Sequence, residues 1–502
     1  MALKLGIDFM FFEIDRNSRM SFQSQLRTSM VEAIINGQLT CGTKLPSTRK
    51  LAKNLGLSRV TVVIVYEKLA EDGYINATER SGYRVADIGP RVTEPAVVGK
   101  KSSSLKNPAG DLQNIDWEGR LDMRVSSQRN IVKPVKWQDY PFPFVYGQPD
   151  TSLFPLGDWR ECSRQAMSQM DMLDWANDAI SQDDPYLVQQ IKSKLLPTRG
   201  IFANDDEILV TMGAQNGLYL AAAALMKAVT RVGIEDPGYP DVRNIFEYHR
   251  ADLVPLEVDE EGVRVDDTLV SCDVVYVTPS HQYPTTVTLS ENRRRNLLEA
   301  ASKHDFFIIE DDFESETNYT DVPVRALKSQ DRDGRVIHVG SLSKSMFPGL
   351  RLGYVVAPSP LIKHMRALRR LMLRHAPSNN QRTTSFFIAM GYHLTYTRQL
   401  NQVYSERRFI MNEALQRFMP GMSTQPKFGG TSFWVKGPEQ LDAEDLAQQA
   451  LSAGVVLEPG QVYFSDREKG KNYFRLGFSS IATQRIEEGL QIISELLASS
   501  KT

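Results

Sequence analysis

The stretch VIHVGSLSKSMFPGLRLGYVVAP, residues 336–358, decides how this chain is read. It opens with a strand-like apolar run, turns through small residues to Lys344, and passes Arg351 into a second apolar run, LGYVVA. A lysine that follows a strand in a serine-rich loop can serve as a Schiff-base nucleophile when its pocket also holds a phosphate. Ser341, Ser343 and Arg351 would then offer that phosphate two neutral donors and a cation. Alone, the tetrad Ser-Leu-Ser-Lys is a weak signal. It also fits the Ser-x-x-Lys motif of penicillin-binding proteins, but the chain has no Ser-Asp-Asn or Lys-Thr-Gly partner, and that reading is rejected.

Three earlier segments supply what a pyridoxal phosphate site needs. FIIEDD, 307–312, reads as a buried strand ending in acids at a sheet's C-terminal edge, where α/β proteins bind ligands. Asp311 there can pair with a protonated pyridine nitrogen. VTMGAQNGLYLAAAAL, 210–225, reads as strand, glycine turn and helix, so the N–H groups of Gly213, Ala214 and Gln215 would meet a phosphate at a helix N-terminus. VGIEDPGYP, 232–240, ends a strand in a turn presenting Tyr239, whose ring could stack on the cofactor. Each segment also has an ordinary reading as edge carboxylate, strand–helix turn or loop aromatic. Together, and in this order, they favour the cofactor.

Around these motifs, from about Pro141, apolar runs alternate with helical segments: EILVTM, RVGIED, DVVYVTP, FFIIEDD, RVIHVGS and LGYVVA. Strands spaced by helix-length segments predict an α/β body with a largely parallel sheet over 136–502. Residues 87–135 read as a linker, with four prolines, the run GKKSSS and little periodicity, partly ordered near Trp117 and Leu121.

Before the linker, residues 1–86 follow another pattern. Phe22, Leu26, Ala33 and Ile34 recur at helical spacing between Ser21 and Asn36, and Gly37 is a stop signal. Ser47 is placed to cap a short helix, Thr48–Leu55, which Gly56 breaks. Ser58 can cap a third helix that ends at Gly73, and GYINATERSGYRVA reads as two strands around Arg80–Gly82. Helix, helix, turn, helix and hairpin is the winged helix-turn-helix pattern. Its third helix would enter a DNA major groove, with Arg59 and Thr61 reaching bases or phosphates, and Ser58 suiting a phosphate. Arg49 would touch the DNA backbone and Arg80, in the wing, the adjacent groove. A small helical domain with a solvated basic face is the bland alternative. The ordered succession of elements and correct turn residues disfavour it.

Length and composition fit this division. The 502 residues are 41% hydrophobic and 24% charged, as in an ordinary globular chain, which excludes collagen-like and wholly disordered classes. The net charge of −2 hides a division, because residues 21–86 carry nine Lys/Arg against five Asp/Glu, a balance of +4 that leaves −6 elsewhere. Cys41, Cys162 and Cys272 fit neither a disulfide framework nor a metal site and suggest a reducing compartment. The N-terminus has no signal-peptide pattern, and the longest apolar run, Leu218–Met226, stops at Lys227, far short of a membrane span. The expectation is a cytoplasmic protein with no membrane or metal partner.

Two resemblances follow from these residues. The segment FQSQLRTSMVEAIINGQLTCGTKLPSTRKLAKNLGLSRVTVVIVYEKLAEDGYINATERSGYRVA, 22–86, resembles a GntR-type winged helix, most specifically in LPSTRKLAKNLGLSRVTV and the DGY before the hairpin. The body from about Phe144 to Ile493 resembles fold-type-I aminotransferases through YGQPDTSLFPLGDWRE, EDPGYP, TPSHQYPT, IIEDD and GSLSKSMFPGLRLGY. Joined, they resemble the MocR family of regulators. That resemblance implies a multidomain chain, an α(+β) winged helix fused to an α/β aminotransferase-like domain. It makes Lys344 the Schiff-base residue, Asp311 the partner of the pyridine nitrogen and Tyr239 the stacking ring. Ser341, Ser343 and Arg351 join the Gly213–Gln215 turn around the phosphate, and His281 to Tyr283 lie near the ring's O3′ side. Arg475 in KNYFRLGF matches the arginine that grips the ligand's α-carboxylate.

Three departures stand out. Phe313 occupies a position where many relatives carry a tyrosine supporting O3′, which implies a higher imine pKa. Thr286 stands where the phrase usually ends in glycine, which would shift the loop. Asp241 replaces the arginine of relatives that respond to γ-aminobutyrate, which argues against that effector. The resemblance implies a homodimeric DNA-binding regulator that senses an amine by transaldimination at Lys344. A working aminotransferase with an accessory DNA-binding head is the alternative. SSQRNIVKPVKWQDYPFPFVYGQPD, 126–150, is similar to the branch linked to ectoine or taurine use, which implies a diaminobutyrate-type effector.

Overall fold

The computed structural model describes residues 12–499 except 13, 19, 79–81, 89–115, 122, 124, 319–323 and 425–427. The chain divides into two compact units, Met1–Ile115 and Asp116–Thr502.

Among its described residues the first unit has three helices, each capped at its start by a serine hydroxyl that accepts a backbone N–H: α1, Phe22–Ile35, by Ser21; α2, Thr48–Leu55, by Ser47; and α3, Arg59–Glu71, by Ser58. Such caps are each worth about 1 kcal/mol. Gly56 ends α2 at φ 63°, a left-handed conformation that glycine adopts without penalty. Leu26, Met30, Ala33 and Ile34 of α1 pack on Val62, Val65, Tyr66 and Leu69 of α3, with Leu51 beneath them. Phe22 does not join this core as its spacing predicts: it sits in the first turn of α1 and is 40% exposed. Strands β1, Ile75–Thr78, and β2, Gly82–Val85, form an antiparallel hairpin from Ile75↔Val85 to Thr78↔Gly82. The expected DNA contact Arg80 lies outside the described residues.

The second unit centres on an eight-stranded sheet among the described residues. Its strands are β3, Ile208–Thr211; β4, Arg231–Asp236; β5, Asp252–Asp259; β6, Gly262–Val263; β7, Val274–Val277; β8, Phe307–Asp312; β9, Val336–Ser341; and β10, Gly353–Val356. Their order is β3-β10-β9-β8-β7-β4-β5-β6. Strands β5, β4, β7, β8 and β9 run parallel, as the apolar runs predict. Helices α4, Ala214–Leu225, α5, Pro240–Tyr248, and α6, Glu291–His304, supply crossovers. The four side chains of β7 are all buried, as expected of a strand covered on both faces.

Strand β10 is the exception inside the sheet, antiparallel to both β9 and β3. Only residues 342–352 join β9 to β10. A parallel crossover needs a dozen or more residues, so this connection turns back as a loop. That loop carries Lys344 and Arg351 at the edge where the parallel strands end.

A smaller lobe holds a four-stranded sheet. Its strands are β11, Ser423–Thr424; β12, Ser432–Lys436; β13, Glu458–Pro459; and β14, Tyr473–Gly477. Phe433, Phe474, Leu476 and Phe478 build its core with the long helix α7, Tyr392–Phe418, and α8, Ile486–Ser499. Residues 116–135, read from sequence as the end of the linker, belong to the second compact unit. There Gln128 donates to the Asn244 carbonyl (3.1 Å), and Asn244 returns a bond to the Arg129 carbonyl (3.0 Å). Trp117 and Leu121, the residues around which partial order was expected, are 61% and 56% exposed. No described helix is long and apolar enough to cross a membrane.

Candidate functional site

Strands β3, β4, β7, β8 and β9 deliver their C-terminal ends to one edge of the sheet, and a cavity of about 290 Å³ opens there. Its wall includes Lys344, Asp311, Tyr239, Gly213, Ala214, Gln215, Ser341, Ser343 and Arg351, nine of the residues expected from sequence. Two further expected residues lie elsewhere. Of the expected stretch His281 to Tyr283, His281 is buried outside this wall, its ring nitrogen 3.0 Å from the Thr317 carbonyl, while Tyr283 faces the cavity. Arg475 is also outside the wall, packed behind Tyr146.

Alternation along β8 explains why two adjacent aspartates behave differently. Asp312 meets Arg199 at 2.8 Å and accepts from the Ser280 hydroxyl at 2.7 Å. Burial works to raise its pKa, but Arg199 outweighs that and holds it below the usual value. Asp311 points to the cavity face. The Tyr276 hydroxyl donates to its Oδ2 at 2.8 Å, while its Oδ1 is buried without a partner. Burial pushes this carboxyl up to about 7, against the Tyr276 bond. An unpaired buried carboxylate oxygen costs about 1–3 kcal/mol or more, so this atom is poised for a cationic N–H from a ligand.

Lys344 is half-buried, and the partial loss of water lowers its ammonium to about 8, opposed by the charge of Glu314. It lies against Gly147, at φ 69°, where any Cβ would collide with Nζ. Its Nζ stands 4.8 Å from the centre of the Tyr146 ring. Gly213, at φ 78°, precedes α4. A Cβ on it would come within 3.2 Å of the Arg351 guanidinium, and one on Gly353 within 2.9 Å of the Ala214 nitrogen. These two glycines let the N-terminus of α4 and Arg351 converge, with Ser341 and Ser343 on the same wall. Backbone N–H groups at a helix start, two hydroxyls and a guanidinium form an anion cradle. Tyr239 supplies a flat wall, its hydroxyl fixed by donating to Asp241 at 3.0 Å. The residues present therefore fit pyridoxal phosphate at its nitrogen, its phosphate and its carbonyl carbon.

Phe313 lines the cavity and offers it no hydroxyl. Thr286 takes φ 63°, so its backbone adopts the left-handed conformation that suits glycine. It is held by its N–H to the Gln282 carbonyl (2.7 Å) and its hydroxyl to the Thr285 carbonyl (2.6 Å).

On the other side of Tyr146, the Arg475 guanidinium lies 3.3 Å from the centre of that ring and 4.2 Å from that of Tyr283. Its Nε donates to Ser432 at 3.0 Å, and its Nη1 is buried without a partner. In register, Arg475 pairs with Glu458 of β13. Glu458, Lys133, Ile131 and Gln148 complete the cavity wall. None was named as a site residue from sequence, although Ile131, Lys133 and Gln148 fall in the 126–150 stretch that carries the branch resemblance. Tyr276, the partner of Asp311, could have been found as the aromatic in an otherwise aliphatic strand.

In the first unit, Arg49, Ser58 and Arg59 are exposed and Thr61 partly so. The Ser58 hydroxyl accepts the Thr61 N–H at 3.1 Å and lies 2.8 Å from the Thr61 hydroxyl. Val60 beside them is 67% exposed, an apolar side chain at the start of α3 that the sequence reading did not name.

Two family models match the chain: bacterial regulatory proteins of the gntR family over residues 22–85, and aminotransferase class I and II over 164–493. The chain is 39% identical to the HTH-type transcriptional regulator TauR of Rhodobacter capsulatus over 477 residues, 95% of this chain and 96% of that one. It is 28% identical over 487 residues to the probable rhizopine catabolism regulatory protein MocR of Rhizobium meliloti, 95% of this chain and 94% of that one. The fold is similar to that of Pyrococcus horikoshii kynurenine aminotransferase, solved with PMP. The TM-score is 0.70 at 26% identity, covering 78% of this chain and 99% of that one.

Proposed function

Because the chain belongs to the MocR-type transcription regulators of the GntR family, a winged helix joined to an aminotransferase class I/II body, we propose that it binds pyridoxal 5′-phosphate at Lys344 and uses it to sense an amino compound. The observation that carries this reading is the pairing, in one cavity, of Lys344 with the unpartnered Oδ1 of Asp311. When bound, the cofactor supplies an aldehyde carbon that can pass from one amine to another. Asp311 holds the ring-nitrogen proton. Gly213, Ala214, Gln215, Ser341, Ser343 and Arg351 hold the phosphate, and Tyr239 covers the ring. Lys344 yields its place to the effector's amine. With its pKa brought down to about 8, it is close to losing its proton near neutral pH and can take that place back. Arg475 receives the effector's carboxylate once Tyr146 leaves its face.

The effector is an amino acid of diaminobutyrate type. The protein acts in the cytoplasm as a homodimer, each winged helix reading one DNA half-site, and ligand binding shifts the balance between two arrangements of the heads. In α3, Arg59 and Val60 contact base edges, Val60 against thymine methyl groups.

The test is a titration of the cofactor-loaded protein with a panel of amines, followed by its visible spectrum and by DNA binding with and without each amine. A spectral change accompanied by altered DNA affinity is expected. Steady keto-acid production with no effect on DNA binding would replace this reading with that of a working aminotransferase.

A further inference from the structure

Among the described residues β3 is an edge strand of the eight-stranded sheet, paired with β10 alone. An edge leaves the backbone groups of alternate residues without a neighbouring strand. Along β3 and its continuation those residues are Ile208, Val210 and Met212, and side chains take the place of the missing strand. The Ile208 carbonyl accepts from Arg366 Nη2 at 3.1 Å. The Val210 N–H donates to Asp183 Oδ2 at 3.1 Å, and the Val210 carbonyl accepts from Arg369. The Met212 N–H donates to Asn216 Oδ1 at 3.1 Å, and the Met212 carbonyl accepts from Arg351 Nη2, also at 3.1 Å.

The middle rung is made of buried charge. Asp183 meets Arg369 at 2.5 Å and Arg366 at 2.7 Å, and the side chains of Asp183 and Arg369 are both fully buried. Taking such a pair out of water cancels much of its attraction, so it adds little stability over apolar packing. What it supplies is direction: one ion pair holds both backbone groups of Val210, two residues before Met212. The last rung reaches the cofactor cavity. Met212 precedes Gly213, and the Arg351 guanidinium that holds the Met212 carbonyl lies within 3.2 Å of where a Cβ on Gly213 would stand. Asn216 sits in the first turn of α4, outside the cavity wall.

Resting on the reading that pyridoxal phosphate sits at Lys344, we propose that Asn216, and behind it the Asp183–Arg369 pair, are positioning residues for the cofactor's phosphate. None of the three lines the cavity. With Met212 fixed at its N–H and at its carbonyl, the N–H groups of the Gly213–Gln215 turn and the Arg351 guanidinium converge before the phosphate arrives, and binding does not have to order them. The effect falls on the phosphate and not on the ring or the aldehyde, which Asp311, Tyr239 and Lys344 receive.

The experiment titrates the full chain, freed of cofactor, with pyridoxal phosphate and with pyridoxal, the same ring and aldehyde without the phosphate, and follows the imine band in wild type, Asn216→Ala and Asp183→Asn. Asn216→Ala should weaken pyridoxal phosphate about tenfold, equivalent to about 1.4 kcal/mol, and leave pyridoxal unchanged. It unpairs no buried charge, so it carries the decision even where Asp183→Asn, which does, fails to fold. A folded Asp183→Asn protein should show the same selective loss. An equal loss of both aldehydes in Asn216→Ala, the mark of a residue that only holds the fold together, would overturn the proposal while leaving the cofactor reading intact. So would affinities that match wild type for both. If wild type forms no imine band with pyridoxal phosphate, the reading of Lys344 fails and this inference with it.

Discussion

The two ends of the cavity are built by different means. At the cofactor end, Asp311, Lys344, Tyr239 and the Gly213–Gln215 turn each sit just at or past the end of a sheet strand. The geometry of a mostly parallel sheet brings them together. At the other end, Lys133, Tyr146, Glu458 and Arg475 come from a segment before the sheet and from the small lobe, and they meet only through long-range packing. The first end supplies chemistry shared by any amine that reacts there. Under the proposed function the second would supply discrimination, and it draws on residues from before the sheet and from the small lobe.

Substitutions at the two ends should therefore have different signatures. The largest effect is expected for Lys344→Ala, which should abolish covalent cofactor attachment, seen as loss of the imine band in the visible spectrum. An unchanged spectrum would mean that another group holds the cofactor. Arg475→Gln should cost carboxylate-bearing ligands about 2–5 kcal/mol while leaving amines without a carboxylate nearly unaffected. Calorimetry with matched amine and amino-acid pairs would show this. Asp311→Asn should weaken cofactor binding by about 1.5–3 kcal/mol, the worth of a hydrogen bond to a charged group, and should do so whatever the ligand. Equilibrium dialysis against the cofactor gives the number. In the separate winged helix, Arg59→Ala should weaken specific DNA binding by about 1–3 kcal/mol without touching either end of the cavity. A salt series distinguishes a base contact from a phosphate contact, since losing a phosphate contact reduces the salt slope by about one.

The smallest effect is a pH dependence confined to the cofactor end. The amine of Lys344 must be unprotonated to attack the cofactor, and burial brings its pKa to about 8. Stopped-flow reconstitution should speed up about fivefold between pH 7 and pH 8, the rise in the neutral fraction for such a group. The same shift bears on stability. Between about 8 and the ordinary lysine value of 10.5, the unfolded chain carries a proton that the folded apoprotein has shed. Apoprotein stability from this group therefore rises with pH across that window.

The contrast between the ends also explains what could be read from the sequence. Lys344, Asp311 and the glycine turn announce themselves because the residues flanking each encode a strand and its turn. The serine caps of the winged helix are legible for the same local reason. Phe22 matches the helical spacing of the core but falls in the first turn of α1, where 40% of it stays exposed. The antiparallel course of β10 follows from counting the residues between two apolar runs. Lys133 sits in a stretch whose prolines and weak periodicity read as linker, and Glu458 is one acid in an apolar run. Neither signals that packing will bring it to a cavity. His281 was placed by its neighbourhood in TPSHQYPT, yet the turn sends Tyr283 to the cavity and His281 to the Thr317 carbonyl.

The central claim is that an amine reacting at Lys344 changes how the winged helix binds DNA. It is tested most directly by measuring operator affinity of the cofactor-loaded protein with and without a reactive amine, in wild type and in Lys344→Ala. The account predicts that the amine shifts the affinity of wild type and leaves that of Lys344→Ala unmoved. An equal shift in both would contradict it.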